Sequence, residues 1–503
     1  MKKILALFLL LPVIASAQVT LNLADRAGES YRTVPGVRET RAVDLTETAP
    51  WRKPFLLAPS GEPWPDTSSS YTFCVWVRVP EDSPQPKGGS VIATTVDKAR
   101  HEGGFTLGAA ENGSWYAGMT DTAGHSLWYE PTAERQPLND GQWHQLAVTC
   151  DRRRGKAAFY YDGNQTALYN LKELGPLDGP FRLRIGGSDG SEWNAFNGCV
   201  DFAVADTTVW SPVRLSAAFR NERSQAVPLT DPFLPRRLDT LRLMGFNIWH
   251  GGNETGAVAG PRRVADIIRE SGADVVGLIE TYGSGARIAD ELGYYFYLHS
   301  SNLSILSRYP IVSAEDIFHP FNCSAIELRV SATQTIRYIN LWLHYLPSTD
   351  RQLRDGVPVD SILRGEWSTR ASELKQILAE AASSGFIGDE VPTFVSGDFN
   401  IASHLDWTRA TKKQHGGYVI PWPTSRLMEE AGFRDSFRER WPNPVTHPGN
   451  TWSPVSKDEL QYRIDFIYYR GPGVRVVDSR MIDTHPVRFP SDHAALLSVF
   501  ALD

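Results

Sequence analysis

The sequence predicts an all-β sandwich followed by a domain of alternating strands and helices, and three observations carry that expectation. The chain has 503 residues, more than one compact core normally holds. From about Leu21 to Arg220, short strand-like runs alternate with turn residues and almost no helical period occurs. From Leu241 onward, apolar strands alternate with amphipathic helical stretches. Hydrophobic residues at 42% and charged residues at 22% belong to a folded chain rather than a disordered one. A formal net charge of -7 excludes a chain that is basic throughout, although it leaves room for a local basic groove.

At the N-terminus, MKKILALFLLLPVIASAQ reads as a secretory leader. Lys2 and Lys3 precede an apolar core from Ile4 to Ile14, and Ala15-Ser16-Ala17 supplies small residues for cleavage. The apolar run falls short of the ~20 residues that span a bilayer, and no later segment reaches that length. No cysteine follows the run to take a lipid. Residues 1–17 are therefore expected to be removed, leaving a soluble secreted or periplasmic protein.

Residues 18–220 form the expected sandwich. YTFCVWVRV and WHQLAVTCD alternate with a period of two, and Asp162-Gly163 in AAFYYDGNQT marks a tight hairpin. Cys74, Cys150 and Cys199 lie in strand-like runs. Either one bridge joins neighbouring strands or the cysteines pack as small apolar residues. The blocks YTFCVWVRV, DGQWHQLAVTCD, AAFYYDGN, LRIGGS and FNGCVDFAVADTTVWS, in this order over about residues 65–215, resemble the laminin-G/concanavalin A-like jelly-roll family. That resemblance implies a glycan or cell-surface ligand, and in some members calcium. No acidic cluster in this half forms an oxygen cage, so calcium is not expected. A docking sandwich without its own ligand is the other reading.

Residues 221–239 are proline-rich and aperiodic, as a linker would be. Residues 240–503 then follow α/β grammar. PRRVADIIRESG is a helix with Val264, Ile267 and Ile268 on one face, Pro261 in its first turn and Gly272 past its end. ADVVGLIE is an apolar strand suited to burial on both faces. TRASELKQILAEAASSG is a second amphipathic helix that stops at Gly385.

Several of these strands finish on polar residues. LRLMGF reaches Asn247, DVVGLI reaches Glu280, INLWL reaches His344, and TFVSG reaches Asp398 with Asn400 beyond it. RIDFIYY carries Asp465, and FPSDHAALL carries Asp492 and His493. Any one such residue is explained by a cap or a satisfied loop. The shared habit points to a common site outside the strand ends, with oxygen and imidazole donors suited to a hard divalent ion.

FNIW, GLIET, LHY, SGDFN, RIDFI and SDHAAL together resemble the six signature blocks of the endonuclease/exonuclease/phosphatase superfamily. The resemblance implies a DNase I-like four-layer α/β sandwich that hydrolyses phosphoesters with Mg2+ or Mn2+. It implies Glu280 as principal metal ligand, with Asn247 and Asp492 beside it. Asp398 would position or deprotonate water, Asn400 would bond a phosphate oxygen, and His344 would contact the phosphoryl group. Asp492 would hold the ring of His493, which would stabilise the transition state or act as base. Asp465 would be a second acidic ligand or an orienter of the histidines.

Around this set, His404 and Asp406 either line the pocket or close a capped turn, and the turn is preferred. Lys412, Lys413, His415 and Trp422 sit on a Gly/Pro-rich loop that could grip a phosphorylated ligand or simply be solvated. His250 to Gly256 is a candidate rim loop, whereas His299, His319, His447 and His485 show no ligand spacing and read as structural. The expected function is an exported metal-dependent phosphodiesterase or phosphatase acting on a small, glycan-linked or lipid-linked phosphate. A secreted nuclease is the alternative enzyme, with nucleic acid the less favoured substrate. A non-catalytic glycan- or surface-binding protein is the alternative of a different class.

Overall fold

A hairpin turn with two left-handed residues shows how local sequence builds the N-terminal sandwich. Asp162 and Gly163 take φ values of 50° and 73°, so Lys156–Tyr161 turns straight into Asn164–Asn170 as an antiparallel pair. The computed structural model describes residues 18–37, 40–47, 53–57, 65, 68–188, 194–222 and 234–503. The expected leader at 1–17 and residues 223–233 of the expected linker lie outside the described residues.

At the centre of one sheet, Tyr71–Arg78 lies between Trp143–Asp151 and Cys199–Asp206. Its alternating sequence suggests one wet face, yet nearly all of it is buried. The reason is a helix that the sequence reading omits, Pro212–Glu222. Its Leu215 joins Cys74, Ala147, Tyr160 and Trp210 in a small core of their own, and its Phe219 stacks on Trp76 with 5.4 Å between ring centroids. The second sheet runs in the order Phe55–Leu57, Leu183–Ile185, Ser90–Thr94, Gly104–Ala109, Trp115–Thr120, Ser126–Tyr129. All four cysteines are buried free thiols, so packing rather than a bridge explains them.

The C-terminal half stacks two sheets with helices outside. One sheet places Val275–Ile279 between Leu303–Ser307 and Thr240–Asn247, and Ala495–Leu502 follows beyond. The other centres on Thr335–Trp342, Thr393–Asp398 and Asp465–Arg470. Leu243, Val275, Ile305, Tyr338, Phe394 and Phe500 fill the space between the sheets. Buried Asn340 crosses that space and donates to Leu278 O at 2.9 Å. Helix Ala259–Ser271 presents Val264, Ile267 and Ile268 to the first sheet and ends at Gly272 with φ 68°. Helix Arg370–Ser383 packs Leu374 and Ile377 on the second. The order helix, sheet, sheet, helix is the four-layer α/β sandwich that the sequence implies.

The two halves are joined by more than a linker. Asn164–Asn170, at the sandwich edge, pairs in parallel with Tyr295–Leu298 at the edge of the α/β domain, Ala167 opposite Phe296 and Tyr169 opposite Leu298. The result is one 14-stranded sheet among the described residues. Each edge strand covers the other's unpaired backbone groups, which would otherwise be open to a foreign strand. Polar contacts flank this seam. Lys156 Nζ donates to Asp316 Oδ1 at 2.7 Å, while Gln136 Nε2 and Thr132 N donate to the carboxylate of Asp290 at 2.6 and 2.9 Å.

His299 is buried in the seam, with its Nδ1 accepting from Tyr297 Oη at 2.8 Å and facing Asn170 Nδ2 at 3.3 Å. Burial first, and then the Lys156 charge, push its pKa down to about 3. The unfolded chain therefore binds a proton below the ordinary histidine pKa that the native chain refuses. Stability is complete above about pH 6.5 and falls as pH drops toward 3, by up to about 1.4 kcal/mol per pH unit from this residue. Urea midpoints measured between pH 7 and 5 should fall less steeply in His299→Gln than in the wild type. Equal slopes would mean that His299 is not held neutral in the fold.

Candidate active site

Register brings the polar strand ends to one rim. Asn247 and Ile279 end neighbouring parallel strands, so Glu280 emerges beside Asn247. Trp342 and Asp398 end another parallel pair, and Asp465 opens the antiparallel strand directly opposite Asp398. Asp492 and His493 immediately precede the strand Ala495–Leu502, whose Leu496 faces Gly245. Ser491 Oγ ties this last segment down by donating to Asn247 O at 2.6 Å while accepting from His493 N at 3.0 Å.

The amide of Asn247 bridges two carboxylates, donating to Glu280 Oε1 and Asp398 Oδ2 at 3.2 Å each. Asp398 also accepts from Asn400 N at 2.8 Å and Asn400 Nδ2 at 3.2 Å. His493 Nδ1 lies 2.9 Å from Asp465 Oδ2, and its Nε2 faces Asp398 Oδ2 at 3.9 Å. Trp452 packs edge-on against that imidazole.

Backbone strain gathers at the same place. Trp249, His250, Glu280, Tyr282 and Asn400 all have positive φ, five of the eight such non-glycine residues among those described. Left-handed backbone at bulky residues persists only where the surroundings over-determine it, as they do at functional sites.

The electrostatics follow from burial. Desolvation raises the Asp398 carboxyl well above its usual range, with His493 opposing and Asp465 adding. Burial alone would lower His493, but the Asp465 and Asp398 charges outweigh it and keep the imidazole protonated at neutral pH. Asp492 is pushed up to about 6, chiefly by burial, with His493 pulling against it and Glu280 adding.

A divalent ion fits these residues. Asp465 Oδ1 and Asp492 Oδ1 are buried without a hydrogen-bond donor, a costly state for anionic oxygens that a cation relieves. One ligand atom each from Asp398, Asp465 and His493 lie within 4.8 Å of one another. The donors are oxygen and imidazole with no thiolate, which suits a hard ion.

Three expected roles change. The ring partner of His493 is Asp465, not Asp492, because Asp465 enters from the strand opposite Asp398 and places its Oδ2 2.9 Å from His493 Nδ1. Asn400 directs its amide donors to Leu343 O at 2.8 Å and to Asp398, so it positions Asp398 rather than offering a donor to phosphate. His415 and Trp422 do not grip a ligand from a loop, since both pack in the core with His415 stacked on Trp407 at 4.2 Å. His344 stands at the rim, half-buried, with its backbone carbonyl held by Arg370 Nη1 at 2.9 Å. His404 pairs with Glu429 at 3.1 Å. Asp406 is a buried partner of Arg463 and Arg438.

Sequence reasoning misses Asn302, whose Oδ1 accepts from Glu280 N at 3.1 Å. It also misses Thr451, whose Oγ1 accepts from Ile464 N and Asp465 N. Both sit outside the named strands and helices with no motif of their own, and only a partner distant in sequence reveals them.

Residues 244–493 match the Endonuclease/Exonuclease/phosphatase family, and residues 55–215 match the Concanavalin A-like lectin/glucanases superfamily. An uncharacterized protein of Caenorhabditis elegans is 34% identical over 255 residues, covering 46% of this chain and 80% of that protein. Among solved structures, truncated TDP2 of Caenorhabditis elegans is 16% identical with a TM-score of 0.36, over 52% of this chain and 98% of that one. The endonuclease/exonuclease/phosphatase of Beutenbergia cavernae is 19% identical with a TM-score of 0.36, over 53% and 72%. The family's members are generally hydrolases acting on phosphoesters, and typically use divalent metals. Through its C-terminal half this chain belongs to the endonuclease/exonuclease/phosphatase family, with a concanavalin A-like domain preceding that half.

Proposed function

We propose that the chain is an exported, divalent-cation-dependent hydrolase of a small, glycan-linked or lipid-linked phosphoester. The observation that carries the reading is the Asp465–His493 pair set beside buried Asp398 and the Asn247–Glu280 couple. Glu280, Asn247 and Asp492 would hold the ion, with His493 oriented beside it by the contact of its Nδ1 with Asp465. When bound, the ion would polarise a phosphoryl oxygen and offset the charge that develops there.

The chain's own residues do the rest. Asp398, held by two asparagines and raised by burial, accepts a proton from the attacking water. His493, oriented by Asp465, points its Nε2–H at the phosphoryl group and stabilises the negative charge of the transition state. A new P–O bond to the water oxygen forms as the ester P–O bond breaks, and the leaving alkoxide takes a proton from solvent to depart as the alcohol. Export is supported by the leader-like residues 1–17. No helix among the described residues is long and apolar enough to cross a membrane.

Purified protein tested on aryl phosphodiester and monoester substrates should turn over with Mg2+ or Mn2+, lose activity on chelation and regain it when the ion returns. Turnover untouched by the chelator would overturn the cation's role. No turnover on these esters or on a panel of DNA, RNA, sphingomyelin, inositol phosphates and sugar phosphates would leave the binding-protein reading. Cleavage of DNA or RNA that weakens steeply with salt would move the assignment to a nuclease.

A further inference from the structure

Glu280 is held by a turn that the other domain grips. The segment His299–Leu303 gives three hydrogen bonds to the strained stretch around Glu280. Glu280 N donates to Asn302 Oδ1 at 3.1 Å, Thr281 N to Asn302 O at 3.0 Å and Tyr282 N to Ser301 O at 2.9 Å. Glu280 and Tyr282 have φ values of 56° and 37°, which such residues keep only under external constraint.

The constraint does not originate in the α/β domain alone. Ser301 N donates to Glu173 Oε2 at 3.0 Å and Ser301 Oγ to Glu173 Oε1 at 3.4 Å, and Glu173 belongs to the sandwich. At the start of the turn, His299 meets Asn170 of the sandwich edge strand. Asn302 Nδ2 donates to Phe321 O at 2.9 Å. The segment leading to Phe321 is in turn fixed at Asp316 by Lys156 at 2.7 Å and Lys172 at 3.2 Å, again from the sandwich. Both flanks of Asn302 are thus anchored across the seam.

We propose that the concanavalin A-like domain is a working part of the candidate cation site, with Glu173 as a positioning residue that fixes Glu280 through Ser301 and Asn302. This rests on the reading of Glu280 as a metal ligand. A sandwich that only carried a ligand elsewhere would have no need to bond the turn beneath that carboxylate. Partners one step out from a metal ligand typically change affinity by ~10–100-fold, and Glu173 stands one step farther still.

The test is Mn2+ binding to the full chain, measured by calorimetry and by the signal of free Mn2+ in electron paramagnetic resonance. Glu173→Ala should weaken Mn2+ binding by about five- to tenfold at an unchanged melting temperature, with turnover at saturating Mn2+ largely kept. Glu173→Gln should stay near wild type, since its amide oxygen still accepts from Ser301 N. Asn302→Ala should weaken binding at least as much, and the double variant should fall short of the product of the single effects. If Glu280→Gln abolishes Mn2+ binding while Glu173→Ala binds within about twofold of wild type, the cation site stands and the positioning role is overturned. If Glu280→Gln leaves binding intact, the cation site is misassigned and the positioning role falls with it.

Discussion

Asp398→Ala should lower turnover of a generic phosphoester by about a thousandfold or more, in line with the loss of a general base and its electrostatic setting. The same change should leave the fold intact. Asp398 is a buried carboxylate raised by desolvation, so its removal relieves a desolvation cost that outweighs its attraction to His493. The melting temperature is expected to stay level or rise, the usual relation between stability and a strained catalytic site. The separation of the two readouts is what distinguishes a catalytic group from a structural one. Turnover within tenfold of wild type, measured with Mn2+ saturating, would remove Asp398 from the reaction.

The second large effect lies one layer deeper. Arg463, fully buried, donates Nε to Asp406 Oδ2 at 2.9 Å and Nη1 to Asp435 Oδ1 at 2.8 Å. Its Nη2 adds bonds to Asp406 Oδ1 at 3.1 Å and Asp435 Oδ2 at 2.7 Å. Its guanidinium also lies over Phe466 at 4.6 Å. Asp435 meanwhile caps the helix Ser436–Arg440 by accepting from Phe437 N and Arg438 N. Arg463→Ala leaves two buried carboxylates with Arg438 as the remaining cation against Asp406. Breaking a buried pair in this way costs about 3–5 kcal/mol.

For a chain of 503 residues that loss corresponds to a fall in melting temperature of about 3–5 °C. Arg463→Lys should recover little, because an ammonium cannot reproduce two bidentate contacts at once. Activity should fall as well, since Arg463 lies two residues before Asp465, which opens the strand Asp465–Arg470. A melting temperature within about 2 °C of wild type would mean that the cluster is not desolvated as its burial implies.

Much of the candidate site is legible in the sequence alone, because charged and amide residues at the ends of apolar strands are costly to bury without a partner. Glu280 after an apolar run, Asp398 and Asn400 after TFVSG, and Asp492-His493 before a final strand are each hard to explain as packing. The hairpin at Asp162-Gly163 and the helix ending at Gly272 were equally plain, since both depend on backbone conformations that glycine allows. Helix Pro212–Glu222 was not legible, as its weak apolar face becomes meaningful only once Trp76 is seen beneath it.

The sequence by itself determined the class of each half and the donor residues at the strand ends, because periodicity and side-chain chemistry are written residue by residue. Only the tertiary structure decided that Asp465 rather than Asp492 takes the ring of His493, since the choice depends on which strand lies opposite Asp398 and not on adjacency in the chain. It alone also decided that Asn164–Asn170 and Tyr295–Leu298 close into one sheet. That seam is made by backbone groups, which are the same in every residue and leave no mark in the order of side chains.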